Sequence, residues 1–240
     1  MLSKIYDSLL TLAYPQACQI CKNSVENSSD GIACKSCWMK TKVFSGAETL
    51  CAKCGRFLRD EPAGFPTFCH ACDEHFYDAA RAVGTYNAAL SASVIHLKRE
   101  PFAAKHLQKL FLSRFETSDF RDATLIVPVP LSRKRFLERG FNQAAVLAEI
   151  LSKETGLPLD KQSLVRTVHT PMHRAAMDTK ARETSVKNAF EVRRANFIKG
   201  ENILLVDDVF TSGATVSNCA KILKEKGARS VYILTAARAA

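Results

Sequence analysis

The sequence predicts an α/β protein with a parallel sheet and helices on both faces, preceded by a small cysteine-rich module. Two observations lead to this fold class. Apolar runs alternate with helical periodicities from about residue 79 onward, as in parallel sheets with right-handed crossovers. Eight of the nine cysteines lie before residue 73, in a segment with little apolar core of its own. We therefore predict a division of the chain into residues 1–78 and 79–240.

The early cysteines form four C-x-x-C pairs, separated by 12, 13 and 14 residues. Two such turns place four thiolates around one tetrahedral zinc ion, so four turns predict a double zinc ribbon with one or two structural zinc ions. Sequential pairing of the turns is the simplest arrangement, and interleaved pairing is the alternative. Disulfides and redox pairs fit less well, because no secretory signal is evident and redox pairs do not come in fours. The predicted ligands are Cys18, Cys21, Cys34, Cys37, Cys51, Cys54, Cys69 and Cys72.

Other side chains of this module admit two interpretations. His70 stands beside Cys69 and is either a substitute ligand or a bystander. The aromatic residues lie among basic ones, so they either cover the metal sites or stack on nucleic acid bases. These aromatic residues are Trp38, Phe57, Phe65 and Phe68.

The start of the chain and its charge limit the classes of protein to consider. Residues 1–18 are apolar but too short for a membrane span, and Asp7 interrupts them, so we expect an amphipathic helix on a cytoplasmic protein, with a membrane-surface role as the alternative.

Residues 81–240 hold 26 Lys and Arg against 15 Asp and Glu, whereas residues 1–80 hold eight Lys and Arg against nine Asp and Glu. A positive field of this kind suits a polyanionic substrate or a nucleic acid, and its sign does not choose between them.

The stretch 203–215, I-L-L-V-D-D-V-F-T-S-G-A-T, predicts a buried strand, two acids and a hydroxyl-rich turn into a helix that runs to about Lys226. Asp207 and Asp208 suit the 2′- and 3′-hydroxyls of a ribose. The turn suits a phosphate, because its N–H groups and the helix N-terminus favour an anion. A sugar with a 5′-phosphate is therefore the predicted ligand. The alternative is a core strand that ends in a capped helix with incidental acids.

Basic residues follow another predicted strand, Ala123 to Val127. The segment with Arg133, Lys134, Arg135 and Arg139 is predicted to be a loop at the carboxyl end of this strand, where open α/β sheets bind ligands. Arginine offers paired donors to phosphoryl oxygens, so the loop suits a pyrophosphate, although a solvated charge cluster is the alternative. Residues 139–143 are predicted to open a helix that runs to about residue 155.

Two further features have uses that the residues alone leave open. Lys98 ends a predicted helix over residues 88–97, and by itself it is better interpreted as a solvated helix-end charge than as a cation for phosphates. Residues 168–188 are polar, basic and weakly patterned, with a helix expected from Asp178. A segment of this length is predicted to be a mobile flap that closes over the sugar and excludes water.

Several motifs together resemble known families. The stretch 203–215 is similar to the phosphoribosyl pyrophosphate (PRPP) motif of type I phosphoribosyltransferases. With the C-x-x-C pairs, L-K-R at 97–99, V-P-V-P at 127–130 and R-x-x-x-R-G-F-N-Q at 135–143, the chain resembles the ComF family over nearly its whole length. Members usually carry Gln and Asn in the flap where this chain has His173 and Ser185, which concerns the acceptor side.

The resemblance implies a type I phosphoribosyltransferase-like domain that binds PRPP with Mg²⁺, and a link to DNA uptake, single-stranded DNA and the competence helicase. It assigns the ribose hydroxyls to Asp207 and Asp208, and the 5′-phosphate to residues 211–215. Predicted catalytic residues are Asp207, Asp208 and Arg139. Predicted PRPP-binding residues are Lys98, Arg133, Arg135, Gly140, Phe141, Asn142, Gln143, Asp207, Asp208, Thr211, Ser212, Gly213, Ala214 and Thr215.

Two functions of different class follow from these observations. The first is an enzyme that binds PRPP and transfers its phosphoribosyl group to an unidentified acceptor. The second is a non-catalytic adaptor that binds single-stranded DNA or a partner through the zinc ribbon and the basic surface. Fold alone does not choose between them.

Overall fold

The computed structural model describes residues 16–26, 31–167 and 189–239. The predicted first helix and the predicted flap, with Asp178, His173 and Ser185, lie outside the described residues. None of the helices in the described ranges is both long enough and apolar enough to cross a bilayer.

The regular elements follow in chain order. The strands are β1 (Thr49–Leu50), β2 (Phe57–Arg59), β3 (Ala79–Ala82), β4 (Leu125–Pro128), β5 (Leu164–Arg166), β6 (Phe190–Val192), β7 (Asn202–Phe210) and β8 (Ser230–Arg238). The helices are α1 (Lys35–Met39), α2 (Ala88–Leu97), α3 (Lys105–Glu116), α4 (Arg133–Arg139), α5 (Gln143–Thr155) and α6 (Ala214–Glu225). Short 3₁₀ turns span His70–Cys72 and Ala195–Phe197.

Four strands form the central sheet in the order β3-β8-β7-β4, and every neighbouring pair is parallel. Alternate residues of β7 point into two cores. On one face Leu204 and Val206 pack with α2, α3 and α5. On the other face Ile203 and Leu205 pack with α6. The predicted parallel sheet with helices on both faces is therefore confirmed.

Strand β7 is longer than its apolar run predicts. The run predicts an end at Val206, but β7 continues to Phe210 because β8 also extends and offers it partners. Asp207 pairs with Thr235 and Phe210 pairs with Arg238. Asp207 and Asp208 therefore lie inside strand β7, near its paired carboxyl end. Strand pairing holds their backbone more firmly than a loop would.

The basic segment after β4 is a helix and not the predicted loop. The Ser132 hydroxyl accepts from the backbone N–H of Arg135 at 3.4 Å at the start of α4, and Gly140 ends the helix with φ +82°. A separate helix, α5, then begins at Gln143. The Asn142 side chain caps it by accepting from Ala144 N at 3.1 Å. The predicted helix over residues 139–155 is thus corrected to two helices joined at Gly140 to Asn142.

The cysteine-rich module packs on both sides of the edge strand β3. Cys18, Cys34 and Cys37 belong to the core that contains α2, α3 and α5. Cys51, Cys54 and Cys72 belong to the core that contains α6. The hairpin of β1 and β2 stands beside this second group. The module shares both cores with the sheet, and the division at residue 78 stays a prediction.

Candidate functional site

The two acids lie at the carboxyl end of β7 in different surroundings. Asp207 is half-buried and Asp208 is buried. The backbone N–H of Asp208 donates to Asp207 Oδ1 at 2.9 Å. Burial and the neighbouring charge of Asp208 raise the pKa of Asp207 well above its ordinary value. Two carboxyl groups held this close to one another favour a ligand that brings hydroxyl donors or positive charge.

Lys98 pairs with the second acid. It follows the last turn of α2, and its Nζ lies 3.2 Å from Asp208 Oδ2. The interpretation of Lys98 as a solvated helix-end charge is therefore wrong. Within the described part of the chain, Asp208 Oδ2 accepts no aligned hydrogen bond, so the contact is purely an ion pair. The oxygen keeps its capacity to accept a hydrogen bond from a ligand.

A cleft of about 610 Å³ opens above the acids. Lys98 and Arg99 form one part of its wall, and α4 contributes another. Arg139 lies there with its Nη1 donating to Gln143 Oε1. The charged and polar lining residues are Lys98, Arg99, Arg135, Glu138, Arg139, Gln143, Arg166, Asp207, Asp208 and Thr215. Because the cations outnumber the acids, the cleft favours an anionic ligand.

The structure separates the predicted ligand residues into three groups. Seven line this cleft: Lys98, Arg135, Arg139, Gln143, Asp207, Asp208 and Thr215. Four line a neighbouring cavity of about 930 Å³ on the far side of α4: Arg133, Gly140, Phe141 and Asn142. Thr211, Ser212, Gly213 and Ala214 line neither of these two cavities. Helix formation explains the separation of the basic residues, since Arg133 and Arg135 point to different sides of α4.

Sequence reasoning missed two cations of the cleft. Arg166 ends β5 and lines both the cleft and the neighbouring cavity. No motif marks it, because it lies inside the short strand that the sequence predicts over residues 164–167. Arg99 lies beside Lys98 in the L-K-R motif, and this position is the signal that could have identified it. The sequence could not give the direction of either side chain.

The turn after β7 has the backbone of an anion site. Gly213 adopts φ +84°, and α6 begins at Ala214. The Ser212 hydroxyl accepts from Ala214 N at 3.4 Å. Thr211 is exposed, whereas Gly213 and Ala214 are buried and offer only backbone groups. The turn therefore places backbone N–H groups and hydroxyl groups at the N-terminus of the 12-residue helix α6, an arrangement that favours phosphate.

The cysteines form two separate four-sulfur clusters. Cys18, Cys21, Cys34 and Cys37 make the first cluster, and Cys51, Cys54, Cys69 and Cys72 make the second, with all four sulfur atoms of each within 4.8 Å of one another. This confirms sequential pairing, and interleaved pairing is wrong. The other described cysteine, Cys219, is buried in α6 apart from both clusters.

The sulfur geometry fits zinc. Sγ atoms are 3.7 Å apart in Cys18 and Cys37, and 3.5 Å apart in Cys54 and Cys69. A tetrahedral zinc ion with bonds of about 2.3 Å needs an edge of about 3.8 Å, whereas a disulfide needs about 2.05 Å. Burial opposes ionisation of Cys18, but backbone N–H groups outweigh it and lower its pKa to about 6, whereas burial raises the pKa of Cys37 in the same cluster to about 12. Both clusters are therefore consistent with structural zinc sites.

Other side chains of the module take distinct positions. His70 is exposed, and its Nδ1 lies 3.4 Å from Asp73 Oδ2, so four sulfur atoms complete the second cluster without it. Trp38 is buried beside the first cluster and packs on His106 at 4.4 Å between ring centroids. Phe65 and Phe68 are instead exposed. Trp38 therefore covers the metal module, while the other two present ring surface to solvent.

Comparisons with known proteins agree with both halves of this description. A double zinc ribbon domain model matches residues 9–73, and a phosphoribosyl transferase domain model matches residues 98–240. Competence protein ComFC of Bacillus subtilis is 32% identical over 225 residues, which cover 87% of this chain and 85% of that protein. DNA utilization protein YhgH of Salmonella typhi is 32% identical, covering 92% of this chain and 96% of that protein. Competence protein F of Haemophilus influenzae is 29% identical with the same coverage.

Proposed function

This chain belongs to the ComF and YhgH family of proteins with a double zinc ribbon and a phosphoribosyltransferase domain, and we propose that it binds PRPP with Mg²⁺ in the cleft above Asp207 and Asp208. We further propose that this binding serves DNA uptake, as the names of the relatives suggest. The observation that carries the proposal is one cleft that combines an acid pair, Thr215 from the first turn of α6 and several cations.

The acids are proposed to receive the ribose. A diol donates two hydrogen bonds, and carboxylate oxygens are strong acceptors for them. The raised pKa of Asp207 supports this role, because an acid beside a buried carboxylate is costly to ionise and a donor-rich ligand relieves that cost. Lys98 Nζ lies 3.2 Å from Asp208 Oδ2, so a ligand that binds the acids also meets this cation.

The anionic groups of PRPP are proposed to occupy the two ends of the cleft. The 5′-phosphate would lie at the turn of residues 211–215, supported by Thr215 on the cleft wall. The pyrophosphate would lie against Arg135 and Arg139 on α4, with Lys98 nearby. When bound, Mg²⁺ would neutralise part of the pyrophosphate charge, and the acid pair supplies the oxygen ligands that it prefers.

The same groups suit departure of pyrophosphate. Breaking the bond to C1′ leaves positive charge on the sugar and adds negative charge to the leaving group. Arg135 and Arg139 would stabilise the leaving group, while the acids hold the sugar in position. Among the described residues that line the cleft there is no histidine.

A second function is supported by the neighbouring cavity. Arg133, Lys161 and Arg193 line it together with the rings of Phe136 and Phe141. Cations interleaved with aromatic rings suit single-stranded nucleic acid, whose phosphates and bases they contact respectively. The alternative proposal is therefore a non-catalytic adaptor for single-stranded DNA, now with this cavity as its surface rather than the zinc ribbon alone.

Calorimetric titration with Mg²⁺ and PRPP tests the first proposal. The double variant Asp207→Asn with Asp208→Asn should lower PRPP affinity at least about 100-fold, because each charge-assisted hydrogen bond contributes about 1.5–3 kcal/mol. Arg135→Gln should lower it about tenfold. The matched control is Lys134→Gln, since Lys134 is exposed on the same helix and lines neither cavity.

Two results would count against PRPP binding. One is an unchanged affinity in the double variant. The other is an equal loss in Arg135→Gln and Lys134→Gln, which would indicate a general charge effect. Release of pyrophosphate with candidate bases distinguishes an enzyme from an adaptor. Single-strand DNA binding that falls steeply with salt, in the absence of turnover, favours the adaptor.

A further inference from the structure

The segment that follows the second cysteine cluster packs directly behind the proposed phosphate turn. A Cβ atom placed on Gly213 would lie 2.7 Å from His75 Cε1 and 2.7 Å from Phe210 Cζ. Gly213 thus leaves no room between the turn and these two rings. The position of the turn is therefore set from behind by His75 as well as by β7.

His75 is itself held by the cluster and by β7. Its backbone N–H donates to the carbonyl oxygen of Cys72, a cluster cysteine, at 3.1 Å. A hydrogen bond of 2.7 Å joins His75 Nδ1 to the hydroxyl of Tyr77, which is buried. The Tyr77 ring meets the Phe210 ring edge-on, with centroids 5.9 Å apart. Cys72, His75, Tyr77 and Phe210 form one continuous set of contacts.

The same segment also holds α6, the helix that begins at the turn. Phe76 N donates to Ser217 Oγ at 3.1 Å, near the first turn of α6. Lys224 Nζ, near the end of α6, lies 2.7 Å from Asp78 Oδ1. Both ends of the helix are therefore tied to residues 76–78, which fixes the direction in which its N-terminus points.

Arg238 completes the connection from the other side of the cluster. Its Nη1 donates to the carbonyl oxygen of Cys54 at 2.7 Å. Its guanidinium group also lies 4.2 Å from the centroid of the Phe210 ring. Cys54 is thereby linked to the last residue of β7, immediately before the turn.

The first cluster packs in a different part of the fold from the second. Its buried cysteines pack with Leu90, Val94 and Leu97 of α2, in the core on the opposite face of the sheet. The two clusters have the same ligand set but different neighbours. This difference allows one cluster to be tested against the other.

We propose that the second cluster, through His75 and Tyr77, positions the turn of residues 211–215, so that occupancy of this cluster by a metal ion raises the affinity for a sugar 5′-phosphate. The inference rests on the proposed function, since it concerns the same turn. His75 and Tyr77 are positioning residues, because they act through Gly213 and Phe210. Coupling of this kind is reciprocal, so the phosphate ligand must also raise the affinity of the second cluster for its metal ion.

The first experiment compares one variant of each cluster. Zinc content is measured for Cys69→Ser and Cys21→Ser, each of which should lose one zinc ion. Affinities for ribose 5-phosphate and for pyrophosphate are then measured separately. Cys69→Ser should bind ribose 5-phosphate at least about tenfold more weakly and pyrophosphate within about twofold of the wild type. Cys21→Ser should change neither affinity by more than about twofold.

The second experiment removes the contact and leaves the metal ligands in place. His75→Ala should weaken ribose 5-phosphate binding with two zinc ions retained, and His75→Gln should restore part of the affinity because its amide can reach the Tyr77 hydroxyl. A merely structural role of His75 would instead lower thermal stability and change both ligand affinities equally. Equal losses for ribose 5-phosphate and pyrophosphate would overturn the proposal.

The third experiment needs no ligand, so it separates this inference from the proposed function. Hydrogen exchange of residues 210–217 should be faster in Cys69→Ser than in Cys21→Ser. If the wild type binds no PRPP, the proposed function fails, while faster exchange still supports the positioning of the turn. Equal exchange in the two variants overturns it. A fourth experiment does use the ligand: in the wild type, ribose 5-phosphate should raise the affinity for one zinc ion, measured by equilibrium competition with a chelator, and leave the affinity for the other unchanged. An equal rise for both ions would contradict the proposal.

Discussion

Lys98 Nζ lies 3.2 Å from Asp208 Oδ2, and this ion pair joins the end of α2 to the end of β7. The carboxylate is buried and the lysine is half-exposed. A ligand that enters the cleft meets both groups at once. The lysine can turn toward a phosphate only if the acid receives another partner, such as a ribose hydroxyl.

Lys98→Met should therefore lower both stability and ligand affinity. Asp208 would be left buried without its cation, and we expect a loss of about 1–2 kcal/mol in the free energy of unfolding, discounted for the exposure of Lys98. PRPP affinity should fall about tenfold or more. Urea unfolding and calorimetry measure the two effects. Lys105→Met, at an exposed position on α3, is the control and should change neither quantity appreciably.

Asp207→Asn should raise stability while it weakens PRPP binding. The folded-state pKa of Asp207 is raised, so the folded chain holds its proton to higher pH than the unfolded chain. Stability of the wild type therefore declines as pH rises from the unfolded pKa toward the folded one, and Asn removes this penalty. We expect the melting temperature to rise by several degrees at neutral pH.

The pH dependence provides the check on this prediction. The gain of Asp207→Asn should shrink as pH falls and vanish below the unfolded pKa of about 3.9, where the wild-type acid is protonated in both states. Thermal unfolding at a series of pH values measures it. A gain that is constant with pH would mean that the substitution acts through packing and not through ionisation.

Gly213→Ala should be far more costly than a glycine substitution of equal backbone strain elsewhere. Gly213 has φ +84°, and an added Cβ would lie only 2.7 Å from ring atoms of His75 and Phe210. Backbone strain and steric overlap together should therefore cost about 2–5 kcal/mol in the free energy of unfolding. Gly156 has φ +74°, but no atom lies within 4 Å of an added Cβ. Gly156→Ala should therefore cost only about 1–2 kcal/mol. Denaturant unfolding of both variants measures the difference. Equal losses of stability in the two variants would show that the side chains of His75 and Phe210 move aside at little cost.

Metal analysis should find two zinc ions per chain. Each cluster has four sulfur atoms within 4.8 Å, so each should hold one ion independently. Cys51→Ser should remove one ion. Cys219→Ser should retain both, because Cys219 lies apart from the clusters in α6. A strong chelator should lower the melting temperature of the wild type, since structural zinc contributes folding free energy.

Local patterns predicted the elements that depend on short-range chemistry. The four C-x-x-C pairs predicted both clusters, because two thiolates three residues apart on a turn already define half of a tetrahedral site. The apolar run 203–206 predicted the central strand, because a strand buried on both faces needs no alternation. Element ends were less accurate. β7 runs to Phe210 because β8 pairs with it, and pairing between distant segments leaves no mark in either sequence alone.

Side-chain direction was the larger difficulty. Arg133 and Arg135 look equivalent in a basic run, yet α4 turns one toward the neighbouring cavity and the other toward the cleft. Lys98 looks like a helix-end charge until β7 brings Asp208 beside it. Arg166 lies in no motif, and only the position of β5 beside the cleft brings its side chain to the site.

The sequence by itself determined which chemical groups this protein possesses and most of the elements that carry them: eight paired thiols, an acid pair on a buried strand, a glycine turn before a helix, and a basic segment after another strand. Only the tertiary structure decided which of these groups meet. It paired Lys98 with Asp208, sorted the arginines between two cavities, and set His75 behind Gly213. The reason is physical. Ligand type and helical or strand periodicity are encoded within a few residues, whereas contacts between distant segments follow from sheet order and packing, which the whole chain settles together.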